Sequence, residues 1–324
     1  MPRDHYIAQT YLRHFAGPGG TLHVYRKGDG KYWRSSPKGV CHEWDGDLIR
    51  DFLKNERLLG DYRAIFEPPW NDAVKDIESG VLEPAVKMAV AGYWANLMVC
   101  TPAWTRVGAK TRAHDALRTV RAHDVLTTQA GKPDPRLKEM LAALDAGHYR
   151  IDAEADAVRA HSAVALTKFA WALYNADWTV IRNRTATDFI TSDNPVAFDD
   201  PGPWRPTRAP GLPRYLPITP RICLYGFMNP RGESNEPDFS KPPRGQVQWG
   251  SVPLHGVERI NRAVVQCAEE IVISPKRDAS LQILVNAYAR YRVDMEFITI
   301  RKPDGFIFGN HTRVRELPPA SARS

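Results

Sequence analysis

A chain of 324 residues, 43% of them hydrophobic and 25% charged, carries enough apolar side chains to bury a substantial core, which excludes a chain that is disordered throughout. Its 44 Lys and Arg against 37 Asp and Glu leave a net charge of +7, a bias toward polyanions that is too small to name a partner. The four cysteines, Cys41, Cys100, Cys223 and Cys267, are widely separated, which excludes a CxxC zinc or redox motif and reads as reduced cytosolic thiols.

In chain order, Met1–His5 lacks the apolar run of a signal peptide, and the spacing predicts a short opening helix from His5 to Phe15. That helix would place His5, Gln9 and Leu12 on one side, with Tyr11 and Phe15 on an adjoining apolar face. Gly17-Pro-Gly-Gly20 forces a turn, and Thr21–Tyr25 and Lys31–Arg34 flank Gly28-Asp-Gly30 as a β-hairpin would. From about residue 47 to 176 the pattern is helical, with Ala, Val and Met across Ala85–Val99 and Ala163, Leu166, Ala170 and Leu173 at helical spacing. The longest apolar stretch, Met88–Val99, is too short and interrupted to span a bilayer, so a cytoplasmic, non-membrane protein is expected.

Past Trp178 the character changes. Trp178–Ile181, Phe189–Thr191, Ile222–Tyr225, Glu270–Ile273 and Met295–Ile300 read as strands of a mostly antiparallel sheet over about 177–310. Twelve of the 26 prolines fall between Pro201 and Gly256, so that stretch is expected to be mostly long loops. Leu317–Ser324 reads as a disordered tail. With no repeat and no sharp linker, the expectation is a single α+β domain over 1–316: an N-terminal helix and hairpin, a central helical layer, and a C-terminal sheet with Pro-rich loops.

Candidate chemistry centres on Asp188-Phe-Ile-Thr-Ser-Asp-Asn-Pro-Val196, which runs a strand signal into a polar turn. Pro195 biases Asn194 away from helix, so the strand should end with Asp193 and Asn194 projecting from its lip, as a metal ligand and a substrate clamp. Ser192 and Asp193 equally suit an Asx or ST turn with a structural role. Together with His5–Phe15, Tyr215-Leu-Pro-Ile-Thr-Pro220 and Val257–Asn261 leading to Ile271–Pro275, this segment resembles the DUF4238 family, a largely microbial group with no assigned activity. The resemblance implies that Ser192-Asp-Asn-Pro195 is the hallmark, that Glu67 is the family's glutamate before a small-residue helical stretch, and that Asn261 and Ser274 are matched polar positions. Cys100-Thr-Pro102 departs from the Arg-Thr-Pro of related sequences, leaving Arg106 as the candidate anion clamp.

These residues support a metal-assisted hydrolase, a phosphodiesterase or nuclease acting on nucleic acid or nucleotide. His5, Glu67 and Asp193 would be the acid–base or ligand set for a divalent ion such as Mg or Mn, with Gln9, Arg106, Ser192, Asn194 and Asn261 contacting substrate. Each has a structural counterpart: His5 capping or packing, Glu67 facing the positive end of a helix, Asn261 satisfying the fold. The competing expectation is a non-catalytic module that binds nucleic acid or protein, in microbial defence, through the Pro-rich loops and the hairpin's Tyr25-Arg-Lys27 and Lys31-Tyr-Trp-Arg34. That alternation of aromatic and basic residues equally describes cross-strand pairs with solvated charges. HExxH, Walker A and GxSxG are absent, and Arg118-Thr-Val-Arg-Ala-His123 matches a HEPN-type ribonuclease spacing at the level expected by chance.

Overall fold

The computed structural model describes residues 3–203, 212–227, 237–302 and 305–318. The chain starts on a strand, β1 (Arg3–His5), and only then forms a short helix, α1 (Gln9–Arg13), so the opening helix does not include His5. Backbone pairing decides this. His5 lies opposite His42 across an antiparallel pair, the Tyr6 amide donates to the Cys41 carbonyl at 3.1 Å, and Ala8 stays extended as the residue capping α1. The expected hairpin forms from β2 (Leu22–Arg26) and β3 (Tyr32–Ser35), and β4 (His42–Trp44) is the partner of β1.

A helical layer follows: α2 (Leu58–Phe66), α3 (Trp70–Ser79), α4 (Pro84–Val99), α5 (Pro102–Gln129), α6 (Pro135–Asp145) and α7 (Ala155–Tyr174). Helix α4 is its centre. Every residue from Ala89 to Val99 is buried, as an all-round apolar helix must be, against α2, α3 and α7. Prolines stand at the first turn of α4 and α5, where the missing amide costs nothing, and the Thr101 hydroxyl caps α5 by accepting from the Trp104 amide.

The sheet-rich part contains β5 (Trp178–Asn183), β6 (Thr191–Ser192), β7 (Pro213–Thr219), β8 (Ile222–Phe227) and β9 (Val247–Val252). It continues with α8 (Leu254–Cys267), β10 (Ile271–Ser274), α9 (Ala279–Ala287), β11 (Tyr291–Lys302) and β12 (Gly305–Glu316). One sheet has the order β7-β8-β5-β9, with only β9 parallel to its neighbour; a second, β3-β2-β10-β6, ties the N-terminal hairpin to the C-terminal part; β11 and β12 form a long separate hairpin. The class is α+β.

Strands β7, β8 and β9 occupy the proline-rich stretch expected as loops. Pro213 and Pro217 are accommodated because β7 is an edge strand with a register shift after Pro217. Residues 204–211 and 228–236, also expected as loops, lie outside the described residues. Of the tail expected over 317–324, the Leu317 amide donates to the Arg290 carbonyl at 3.0 Å, and residues 319–324 lie outside the described residues. Buried apolar residues fall into a larger cluster around Tyr11, Trp70, Tyr93, Trp94 and Trp178, a second around Phe189, Phe198, Ile260 and Val264, and a small third of Ile49, Leu59, Ala160 and Ala163. All four cysteines are free, and no helix among the described residues is long and apolar enough to cross a membrane.

Candidate functional site

An open cleft of about 480 Å³ lies where β1, α1 and α2 meet, and His5, Gln9, Arg13, Arg63 and Glu67 are in its lining. His5 reaches it from a strand rather than a helix. Its Nε2–H donates to the Lys38 carbonyl at 3.3 Å, and its ring stands edge-on to His42 at 5.5 Å. Glu67 is the residue that ends α2, and its half-buried carboxyl accepts no hydrogen bond among the described residues. Burial raises its pKa above the ordinary glutamate value, with the charge of Arg63 working in the opposite direction.

Arg63 holds this arrangement together. It is 6% exposed, donates to the His5 carbonyl and pairs with Asp47, so one buried guanidinium fixes β1 against α2. Its Nε–H is sealed from solvent without an acceptor. Sequence reasoning missed Arg63 and Arg13. The available signal for Arg63 was its position four residues before Glu67, one helical turn apart.

Asp193 is elsewhere. Strand β6 ends at Ser192, and Asp193 and Asn194 turn into the protein rather than projecting from a lip, with exposures of 2% and 7%. The Asp193 carboxylate accepts three backbone amides that follow α8: Glu269 at 2.8 Å, Glu270 at 2.7 Å and Ile271 at 3.0 Å. Burial pushes its pKa up to about 6, against the pull of those three amides. The Ser192 hydroxyl accepts from the Asn194 amide at 3.1 Å, while the Asn194 side chain donates to the Cys267 carbonyl at 2.8 Å and accepts from the Thr101 hydroxyl at 3.3 Å. The hallmark tetrapeptide is therefore a buried clamp on the end of α8.

Lys27 completes that clamp from the hairpin. Its ammonium, on a residue 1% exposed, donates to the carbonyls of Val265, Gln266, Ala268 and Tyr291 at 2.7, 3.3, 2.9 and 2.6 Å. Burial, with Arg292 nearby, lowers its pKa to about 7. With Tyr25 1% exposed as well, two of the seven residues in the hairpin's aromatic-basic alternation are buried and offer nothing to a nucleic acid.

The remaining expected contacts are dispersed. Arg106 grips Glu269 through Nε at 2.6 Å and Nη2 at 2.8 Å and also donates to the Val293 carbonyl, so its guanidinium is committed within the chain. Asn261 lines a separate cleft of about 620 Å³ on α8, but its amide accepts from Ile190 and donates to the Asp188 carbonyl. Among the described residues no group of three or more His, Cys, Asp or Glu side chains is placed to hold a metal ion. Of the expected Mg or Mn ligand set, His5 and Glu67 share a cleft, and Asp193 is outside its lining and accepts backbone amides.

No curated protein and no solved structure matches the chain. A family model, described as a protein of unknown function (DUF4238), matches residues 3–278, which takes in the N-terminal cleft, Asp193 and its three amide donors, and stops before α9 and the β11–β12 hairpin. The chain belongs to the DUF4238 family.

Proposed function

We propose that this protein is a cytoplasmic hydrolase of phosphodiesters in nucleic acid or nucleotides, with the N-terminal cleft as its site. The observation that carries the reading is a half-buried carboxyl, Glu67, without a hydrogen-bond partner among the described residues, in the same cleft as His5, Gln9 and the exposed Arg13. A glutamate whose pKa is raised by burial is suited to protonate a leaving oxygen, and an imidazole is suited to take a proton from water. Arg13 supplies positive charge for a phosphate, while Arg63 is held by Asp47 and positions the cleft. The donors in the cleft do not complete a metal centre, so the reading rests on acid–base chemistry alone.

The test is hydrolysis of bis(p-nitrophenyl) phosphate, single-stranded RNA and single-stranded DNA by wild type and by Glu67→Gln, His5→Asn and Arg13→Ala. Glu67→Gln and His5→Asn should each lower kcat by about 10²-fold or more at an unchanged unfolding midpoint, and Arg13→Ala should mainly raise KM. Absence of turnover in the wild type, or full turnover in both acid–base variants, would reject the reading.

A second reading, a non-catalytic nucleic-acid-binding module, is favoured by a different surface. Arg182 lies 4.8 Å over the ring of Trp249, which is 40% exposed, and with the exposed Arg184 they line an open cleft of about 470 Å³. An aromatic face beside two cations suits stacked bases and phosphates. RNA binding that Trp249→Ala abolishes, in a protein that hydrolyses nothing, would select this reading.

A further inference from the structure

Four buried or half-buried cations in this protein have evident partners: Lys27 has four carbonyls, Lys87 has the Ala176 and Gly245 carbonyls, Arg63 has Asp47, and Arg106 has Glu269. Arg214 on β7 is different. Its guanidinium makes no hydrogen bond or ion pair among the described residues, its Nε is sealed from solvent on a residue that is otherwise partly exposed, and it lies over the Phe198 ring at 5.3 Å. A guanidinium largely withdrawn from water with no counter-charge among the described residues is disfavoured, which makes it a receptor for an anion.

Space for one is present. Arg214 lines a cavity of about 60 Å³ whose other walls include Met98, Trp104, Phe198 and Met295, with Asn194 and Thr312 as the polar exceptions. The Asn194 amide is already spent on Thr101 and Cys267, so the charge complement rests on Arg214. One water needs about 15 Å³ on this measure, so the cavity suits a group of roughly four or five heavy atoms. A neighbouring cleft of about 390 Å³ shares Trp104, Val107 and Met295 with it, which gives a larger apolar body somewhere to extend. Val293, Met295 and Thr312 belong to the β11–β12 hairpin, beyond the family-matched residues 3–278.

We propose that this cavity binds a small organic monocarboxylate, its carboxylate on Arg214 and its apolar body against Met98, Trp104 and Phe198. One cation balances one negative charge, which disfavours a phosphate dianion, and the hydrocarbon walls reward a carbon skeleton that an inorganic ion lacks. Burial lowers the pKa of Arg214, and an anion opposite it would work to restore the charged form.

Calorimetric titration at constant ionic strength tests this with acetate, propionate and butyrate against chloride and phosphate. One saturable site is expected, tightening from acetate to butyrate, with chloride and phosphate at least 10-fold weaker. Arg214→Met should weaken butyrate more than 10-fold, yet melt no lower than wild type without ligand, because it removes an uncompensated charge. Ala103→Leu narrows the cavity from α5 while leaving Arg214 in place, and should lose binding too. The proposal fails if no carboxylate saturates, if chloride or phosphate binds as tightly as butyrate, if butyrate binds Ala103→Leu as well as wild type, or if Arg214→Met without ligand melts well below wild type.

Discussion

Asp193 sits at 2% exposure with three amide donors on its two carboxylate oxygens, and that geometry accounts for the residue without any substrate. The amides belong to Glu269, Glu270 and Ile271, where the chain leaves α8 and enters β10, so one side chain on the β6 side fixes the turn on which the second sheet depends. Asp193→Ala strips three partly buried N–H groups of their acceptor at about 1–3 kcal/mol each, partly relaxed by water. A loss of about 3 kcal/mol or more is expected in urea denaturation, and a variant as stable as wild type would show that the clamp contributes little. Sequence alone marks Ser192, Asp193 and Asn194 as polar residues in an apolar context. It does not tell that the partners are main-chain amides more than 70 positions later, because a backbone donor carries no residue-type signature. His5, Gln9 and Glu67 were legible as chemistry-bearing positions through their resemblance to family motifs. The buried guanidinium that brings β1 and α2 together was not, since Arg63 shares a short helix with Asp61 and its sequence does not tell a solvated charge from one buried against a distant Asp47.

At the scale of elements, α2 reaches the site only because α4 lets it approach. Gly92, buried in the middle of α4, presents bare backbone to the Phe66 ring, and a Cβ there would overlap the ring. Helix propensity and packing therefore make opposite predictions for Gly92→Ala. Propensity favours Ala by about 1 kcal/mol, while forcing a methyl group into a filled interface costs about 1–3 kcal/mol and occasionally more. Packing should win, with a lower melting temperature by calorimetry, and because Phe66 immediately precedes Glu67 the displacement should also reduce any activity of the cleft. A more stable variant with unaltered activity would refute this. The same contrast explains which elements were legible. Helix α4 and the β2–β3 hairpin announce themselves through a continuous apolar run and a Gly-rich turn. Strands β1 and β4 have three residues each and no apolar alternation; only their mutual pairing makes them strands. Strand β7 hides behind Pro213 and Pro217, which its edge position tolerates.

For the whole molecule, the β11–β12 hairpin follows the family-matched residues 3–278, and its attachment to the rest is electrostatic as much as apolar. Asp294 on β11, 2% exposed, accepts Lys110 of α5 at 2.7 Å and Arg315 of β12, and Arg106 of α5 reaches the adjacent Val293 carbonyl at 2.7 Å. Burial works to raise the Asp294 pKa, but Lys110 and Arg315 prevail and hold it below the ordinary aspartate value. A folded-state pKa below the unfolded one means that the unfolded chain binds the proton more readily. The stability from this group is therefore fully present above the unfolded value of about 4 and is lost as pH falls through the depressed folded value. Asp294→Asn keeps the shape and removes the charge, so it should cost about 1–3 kcal/mol near neutral pH and little at strongly acidic pH, where the wild-type carboxyl is itself protonated. Hydrogen exchange read peptide by peptide should place the loss in β11 and β12, with α4 and the β2–β3 hairpin protected as before. Urea midpoints measured from pH 7 down to about pH 2 should show the gap between wild type and variant closing as the pH falls. A gap that stays constant over that range would mean that the hairpin is held by its apolar contacts with Val107 and α8, and that the charge cluster is incidental.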